Sequence, residues 1–494
     1  MTVLQTSESS ADSSQVGTKP GTIVAVLAVA GIVISLAQTL VVPIIGILPQ
    51  IFDTSAANTS WVITVTLLVG AVSTPVVGRL ADMYGKKRML LVAIVPFVLG
   101  SIVCAVAPNV VVMIVGRGLQ GLATGIVPLG ISLLHDVLPK EKVGSAIALM
   151  SSSMGIGGAL GLPVAAAVTE FTSWRVLFWA TAGAAAVLAV VVWRTIPAHR
   201  PHGNVHSFDY VGAAGLAAAL VTLLLGVSKG AEWGWTSGTT LGCFAAAVAL
   251  LTMWGWYELR RRGPLVDLRT AATPVVLLTN IASILIGFAM YSMNLIVPQV
   301  MQLPVETGYG LGQSMIQMGL WIAPMGIGMM AVSNVGARIS RHHGPKVTLT
   351  LAGIVIAAGY GATALVLATV GNRPVGDTSP VIGTLLLLLV TTLVVGCGIG
   401  FAFGAMPALI MSAVPAHEKA AANGLNSLMR AIGTSVSAAV VGAVLGSMTH
   451  AVGGHLIPAL PGFIVALLIG CAGALVAAGI AAAIPNSAKA GTAR

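Results

Sequence analysis

The sequence predicts an all-α polytopic membrane protein with about 14 transmembrane helices. Three observations carry this expectation. The 494 residues are 56% hydrophobic and only 8% charged, too few charges to keep a soluble fold of this length dispersed. The apolar residues come in long blocks almost free of ionisable side chains, each near the roughly 20 residues that a helix needs to cross a bilayer core. The short alternating segments of a membrane barrel do not occur.

Taken in order, residues 1–20 are polar, carry Glu8, Asp12 and Lys19, and read as a disordered cytoplasmic tail. Apolar blocks follow near 23–46, 61–78, 89–107, 110–134, 144–168, 174–193, 210–228, 238–257, 275–299, 314–335, 348–370, 381–411, 421–446 and 462–484. No cleavage pattern follows the first block, so it is expected to persist as a span. An even count puts both termini on one side, and Lys and Arg choose that side. With the termini inside, cytoplasmic connectors hold Arg79, Lys86, Lys87, Arg88, Lys140, Lys142, Arg194, Arg200, Arg260, Arg261, Arg262, Arg269, Arg338, Arg341, Lys346 and Lys419. Adding Lys19, Lys489 and Arg494 in the tails brings the cytoplasm to 19 of the 24 basic residues. The opposite face receives Arg175, Lys229 and Arg373, while Arg117 and Arg430 fall within spans. This positive-inside asymmetry explains the net charge of +10 better than nucleic-acid binding does, because the basic residues are scattered over connectors. Cys104, Cys243, Cys397 and Cys471 all lie in apolar blocks without metal-ligand spacing and read as small buried hydrophobes. His199, His202 and His206 share one solvated connector.

The connector after span 2 reads GRLADMYGKKR, from Gly78 to Arg88. Gly78 and Gly85 permit close packing and a tight turn. Asp82, at a cytoplasmic helix end, can meet a helix N-terminus or a guanidinium in one state and release it in another. Arg79, Lys86, Lys87 and Arg88 complete the charge motif. The connector after span 10, GARISRHHGPK (Gly336 to Lys346), is a faint echo with Ser340 where an acid would stand. If spans 7 and 8 are an inserted hairpin, the two copies occupy equivalent places in two sets of six. The expected organisation is 6+2+6: an N-terminal half at 21–193, linkers plus hairpin at 194–274, a C-terminal half at 275–484, and a tail at 485–494. Such repeats point to a transporter with its substrate site between two halves.

These stretches resemble the major facilitator superfamily, and within it the fourteen-span drug:proton antiporter branch. Gly78 to Lys87 resembles the family's loop 2–3 signature. RGLQGLATGIVP (117–128) is similar to its intramembrane arginine motif, and IGGALGLPVAAAV (156–168) to its antiporter motif, here with Gly161-Leu162-Pro163 in place of Gly-Pro. SWRVLFW (173–179) and LNSLMRAIGTSVSAAV (425–440) add to the likeness, which covers nearly the whole chain. The family's span-1 acid is missing: LAQTLVVP (36–43) stands in its place.

The residues themselves nominate further candidates. Arg117 lies about seven residues inside span 4, about 10 Å deep at 1.5 Å per residue. An intramembrane arginine is costly and usually faces a cavity or a partner. Arg117, Gln120, Gly121 and Thr124 step by 3, 4 and 7 onto one helix face, as a cavity lining would. Gly155, Gly157, Gly158 and Gly161 with Pro163 make span 5 a close-packed, bendable helix. On span 9, Asn280, Ser283, Gly287, Tyr291, Asn294 and Pro298 form a polar-to-small stripe, read either as substrate path or as helix packing. Gln38, Thr39, Gln317 and Trp321 are further path candidates. Trp174 is expected at the outer interface, and Arg430 to snorkel from the start of span 13.

No phosphate-binding loop, metal cluster or large extramembrane domain is present in the sequence, so it does not read as an enzyme and implies no cofactor beyond a proton gradient. The resemblance implies a monomeric exporter of small amphipathic compounds in the cell membrane, coupled to protons. An uptake carrier or facilitator of the same fold, or a non-transporting sensor or scaffold, are the alternatives. No Asp or Glu falls near a span centre, so the expected substrate is neutral or anionic, and the proton is carried either by a carboxylate near a cavity mouth, with Asp53 and Asp136 the candidates, or by the substrate itself.

Overall fold

The computed structural model describes residues 20–42, 44–45, 47–197, 208–261, 264–370, 381–415, 418–452 and 455–485. Both tails and the histidines at 199, 202 and 206 lie outside the described residues, apart from Pro20 and Pro485 at the tail edges. The helices are α1 (Pro20–Thr39), α2 (Leu48–Ile51), α3 (Ala56–Tyr84), α4 (Lys86–Ala105), α5 (Val110–Gly121), α6 (Ile126–Val137), α7 (Lys140–Phe171), α8 (Arg175–Thr195) and α9 (Tyr210–Trp233). They continue with α10 (Gly238–Arg260), α11 (Leu268–Ala271), α12 (Pro274–Gln302), α13 (Met315–Ala331), α14 (Ser333–His343), α15 (Pro345–Val370), α16 (Val381–Ala413), α17 (Lys419–Ser447) and α18 (Leu460–Ala483). Among the described residues, 14 helical spans are long and apolar enough to cross a membrane. The chain is a polytopic α-helical membrane protein.

Several boundaries differ from expectation, each for a local reason. The first span stops at Thr39, not 46, and turns lead into α2; Pro43 lies just beyond, where it disfavours helix in its predecessor. The fourth span is broken by a 3-10 turn at Leu122–Gly125 between α5 and α6. The Gly78–Arg88 connector shrinks to one residue. α3 runs to Tyr84, α4 starts at Lys86, and Gly85 alone turns the chain at φ +98°, a region that favours glycine. Its echo does the same, with Gly344 at φ +87° between α14 and α15. A short hairpin, β1 (Thr449–Val452) against β2 (His455–Pro458), was not expected; its register pairs Thr449 with Pro458 and Val452 with His455.

Packing divides the helices into groups. α1, α4, α6, α7 and α8 bury a core around Leu27, Leu90 and Leu134. α12, α13, α15, α16 and α18 bury another around Ile286, Ile356 and Ile399. α7 packs on α13 and α3 on α17, so these four helices join the groups. α9 packs on α10, and also touches α3 and α17 through Leu216, Leu220 and Leu224 against Leu68, Ala71 and Leu428. Lys229 near the end of α9 is buried, donates to Ser60 Oγ at 2.6 Å and Glu232 Oε2 at 2.9 Å, and lies over the Trp61 ring.

Candidate functional site

The α3–α4 corner carries the densest set of charged contacts. Asp82, in the last turn of α3, reaches across to the first turn of α17. Its Oδ1 accepts from Ala420 N at 3.3 Å and its Oδ2 from Ala421 N at 3.0 Å. These are two of the N–H groups that a helix start leaves without internal partners, at the positive end of its dipole. Gly78, one turn earlier, makes the approach possible: a Cβ there would lie 2.7 Å from the Ala420 carbonyl oxygen. The other charges of the motif act within the first group of helices. Lys86 Nζ is buried, 2.5 Å from Asp136 Oδ2, and donates to Ser132 O at 3.2 Å. Lys87 Nζ donates to Trp193 O at 2.8 Å, at the end of α8. Arg79 and Arg88 make no side-chain hydrogen bond or ion pair among the described residues. Beside this corner, His135 Nδ1 of α6 is 3.2 Å from Lys419 Nζ of α17. Asp53 is exposed on the turn before α3, at φ +47°.

Arg117 does not line an open cavity. It is 2% exposed. Its Nε donates to Val62 O at 3.2 Å, and its Nη1 to Ala37 O at 3.1 Å and Gln120 Oε1 at 2.7 Å. Gln120 Nε2 donates onward to Ser101 Oγ at 2.8 Å. One guanidinium thus ties α1, α3 and α5 together, and Gln120 extends the tie to α4. Gly121 packs on α3, where a Cβ would lie 2.8 Å from Thr66 O. Thr124 falls in the 3-10 turn and contacts α3 at Gly70. The polar face read as a lining is therefore a packed interface, because the backbone carbonyls of α1 and α3 supply the acceptors the guanidinium needs.

The glycines of α7 serve two neighbours. Gly157 and Gly161 face α1, where a Cβ would collide with Ile32 O and with Thr39 Oγ1 respectively, and Gly158 faces Ser35. Ser35 Oγ donates to Met154 O at 2.6 Å. Gly155 and Pro163 face α13, against Met329 and Gly319. α7 runs unbroken through Pro163.

The path candidates separate. Asn280 Oδ1 accepts from Asn426 Nδ2 at 3.0 Å and Ser283 Oγ from the same nitrogen at 2.7 Å, all three buried. This half of the stripe packs α12 on α17. Further along, Tyr291 is half-buried and Asn294 exposed, with Asn294 Nδ2 donating to Met290 O. Gln317 is exposed in the first turn of α13, where with Ser314 it forms the capping box. Trp321 Nε1 donates to Gln313 Oε1 at 3.2 Å, Gln38 is half-buried, and Thr39 donates to Leu36 O at 3.1 Å against Gly161. Trp174 is buried against Phe52 and Phe178 instead of anchoring at an interface. Arg430 lies in the twelfth position of α17, about 16 Å from its start at 1.5 Å per residue, too far to snorkel. Its Cζ stands 4.6 Å from the Phe403 ring centroid.

Sequence reasoning missed Asn423, Asn426, His135 and Lys419 as contact residues. Asn423 Nδ2 donates to Pro128 O at 2.8 Å, bridging α17 to α6. Intramembrane asparagines are rare enough to have marked both, but which helix they meet is not written in spacing.

Comparison with known proteins agrees with this architecture. The family model described as Major Facilitator Superfamily matches residues 27–438. An uncharacterized MFS-type transporter of Mycobacterium tuberculosis is 28% identical over 413 residues, covering 82% of this chain and 57% of that protein; the chain thus spans little more than half of that relative's length. A multidrug resistance protein B homolog of the same organism is 27% identical, covering 80% of this chain and 70% of that protein. Multidrug resistance protein 3 of Bacillus subtilis is 24% identical, covering 78% and 72%. The crystal structure of the human organic anion transporter MFSD10 (TETRAN) superposes with a TM-score of 0.62 over 94% of this chain and 99% of that chain, at 14% identity, a likeness of fold.

Proposed function

The chain belongs to the major facilitator superfamily, and from that premise we propose that it is a secondary active transporter that exports small amphipathic compounds by alternating access, driven by proton entry. The observation that carries this reading is the Asp82 cap on α17. It joins α3, whose Val77 and Ala81 lie in the first core, to α17, which packs on α12 of the second, through two backbone N–H groups. A carboxylate at a helix start contributes roughly 0.3–2 kcal/mol. Contacts of that size are strong enough to bias a two-state equilibrium and weak enough to be broken in each cycle.

The remaining parts follow from the same premise. The 6+2+6 organisation, with halves at 21–193 and 275–484 and both termini cytoplasmic, places the Asp82 contact at the cytoplasmic face of the plasma or inner membrane, and one chain suffices for function. Multidrug resistance names among the relatives support export of drug-like compounds. Arg117 and Arg430 stand within spans, and neither forms an ion pair with a carboxylate among the described residues, which favours neutral or anionic substrates over dications. Of the proton-carrier candidates, Asp136 is favoured: it is nearly buried and pairs with Lys86 of the gate motif, whereas Asp53 faces solvent.

The test is flux in proteoliposomes under an imposed pH gradient, with a monocation, a dication and an acidic amphiphile of similar size. Gradient-driven export of the acid is expected. Robust export of the dication with none of the acid overturns the substrate class, and flux indifferent to the gradient overturns the coupling.

A further inference from the structure

One face of α17 carries a run of polar side chains. Asn423, Ser427, Arg430 and Thr434 step by 4, 3 and 4 and form one polar stripe. Its first member donates to Pro128 O of α6, so the stripe faces the seam between the two groups of helices. Burial relaxes along it: Asn423 is 1% exposed, while Ser427, Arg430 and Thr434 are half-buried. Side-chain exposure thus rises along α17 beyond Asn423.

Arg430 is the charged member of this stripe. Its one hydrogen bond among the described residues runs from Nη2 to Ser427 Oγ at 3.4 Å, the long limit of such a contact. Four of its five N–H donors have no acceptor there. The stem lies against α12: a Cβ on Gly287 would lie 3.0 Å from Arg430 Cγ, so that glycine gives the side chain its room. The guanidinium carbon lies over the Phe403 ring of α16, 4.6 Å from its centroid. Arg117 is the contrast, since backbone carbonyls and Gln120 occupy three of its donors and leave it 2% exposed. A guanidinium deep in a membrane protein, set over an aromatic ring and with most of its donors unmatched, calls for an external acceptor.

We propose that Arg430, backed by Phe403 and held by Gly287 and Ser427, is the recognition point for a carboxylate on an amphipathic substrate, with an aromatic or aliphatic body lying along the seam. This rests on the exporter reading and deepens it: Arg117 fastens helices, while Arg430 reads the substrate. The planar fork matches a carboxylate bidentately, and Phe403 supports the cation from one side.

The experiment uses the full chain in detergent and in proteoliposomes. The probes are a naphthyl-alkyl carboxylic acid, its primary amide and the corresponding amine. Binding is measured by calorimetry and efflux under a pH gradient. The wild type should bind the acid most tightly. Arg430→Gln should weaken the acid by about tenfold or more while leaving the amide within about twofold, because one bidentate charged contact is lost. Arg430→Lys should fall between, and Phe403→Leu should weaken the acid in a protein that keeps every charge. Equal losses for acid and amide, an unchanged acid affinity in Arg430→Gln, or a wild type without preference for the acid each overturn the assignment. Arg430-dependent binding of the acid without gradient-driven efflux would instead sink the exporter reading and leave the site standing. Gradient-driven efflux that ignores Arg430 would do the reverse.

Discussion

Asp82 and Arg117 do opposite things with full charges in a low-dielectric setting. Asp82 faces two N–H groups of another helix group and holds them only while α17 stays near. Asp82→Asn removes the charge and brings amide hydrogens toward those N–H groups. The variant is expected to insert at the wild-type level with transport reduced about tenfold, the equivalent of a bias of about 1.4 kcal/mol. Near-normal flux at equal expression would remove the gate role. Arg117 instead satisfies carbonyls on α1 and α3 at once. Arg117→Ala leaves those acceptors and Gln120 short of donors, at about 1–3 kcal/mol each. Loss of transport together with a lowered melting temperature is expected. Arg117→Lys should not restore both, because one ammonium nitrogen cannot span Val62 O, Ala37 O and Gln120 Oε1 as a planar fork does. A fully active lysine variant would show that charge alone suffices.

Among the spans, α7 is packed closely on two sides, by α1 and by α13, whereas α10 packs chiefly on α9 alone. Gly157→Leu must push α1 off α7 at Ile32. Overpacking of this kind costs about 1–3 kcal/mol, and reduced thermal stability with lost transport is expected. Gly183→Leu on α8, where a Cβ meets nothing within 4 Å, is the matched control and should be silent in both assays. The α9–α10 hairpin meets the rest through one face of α9 and the Lys229–Ser60 contact. Deleting 210–257 with a joined linker should leave a chain that still folds and purifies as one monodisperse species. Its surfaces would exchange helix for lipid, which differ little in apolarity. Aggregation of the deletion variant in every detergent tried would mean that the hairpin belongs to the core.

At the scale of the whole molecule, orientation is the first thing to measure. Arg88 is exposed beside the α3–α4 corner, and Asn294 is exposed towards the other end of α12. In membrane vesicles of known sidedness, Arg88→Cys should react with an impermeant thiol reagent from the cytoplasmic face, and Asn294→Cys from the opposite face. Reaction of Arg88→Cys from outside would invert the topology and move the Asp82 contact to the other side of the membrane.

The sequence by itself determined the class, the number of spans and the existence of the charge motif at Gly78–Arg88. These are written in composition, in block length set by bilayer thickness and in local spacing. It also singled out Arg117 as anomalous, since an arginine in an apolar block is conspicuous wherever the chain folds. What it could not decide was what each polar side chain meets. Arg117 and the Asn280–Ser283 pair read equally as cavity lining or packing, and the acceptors that settle the matter are backbone carbonyls and Asn426, up to 146 residues away. Gln317 and Trp174 were displaced by a capping box and an aromatic cluster, both local geometries without a periodic signature. Arg430 was assigned to a helix end because its block was apolar; its register against Gly287 and Phe403 is set by how α12, α16 and α17 cross. Helix identity is encoded along the chain, but helix-to-helix register arises only from close packing of side chains from distant segments, and that is where the partner of every intramembrane polar group is chosen.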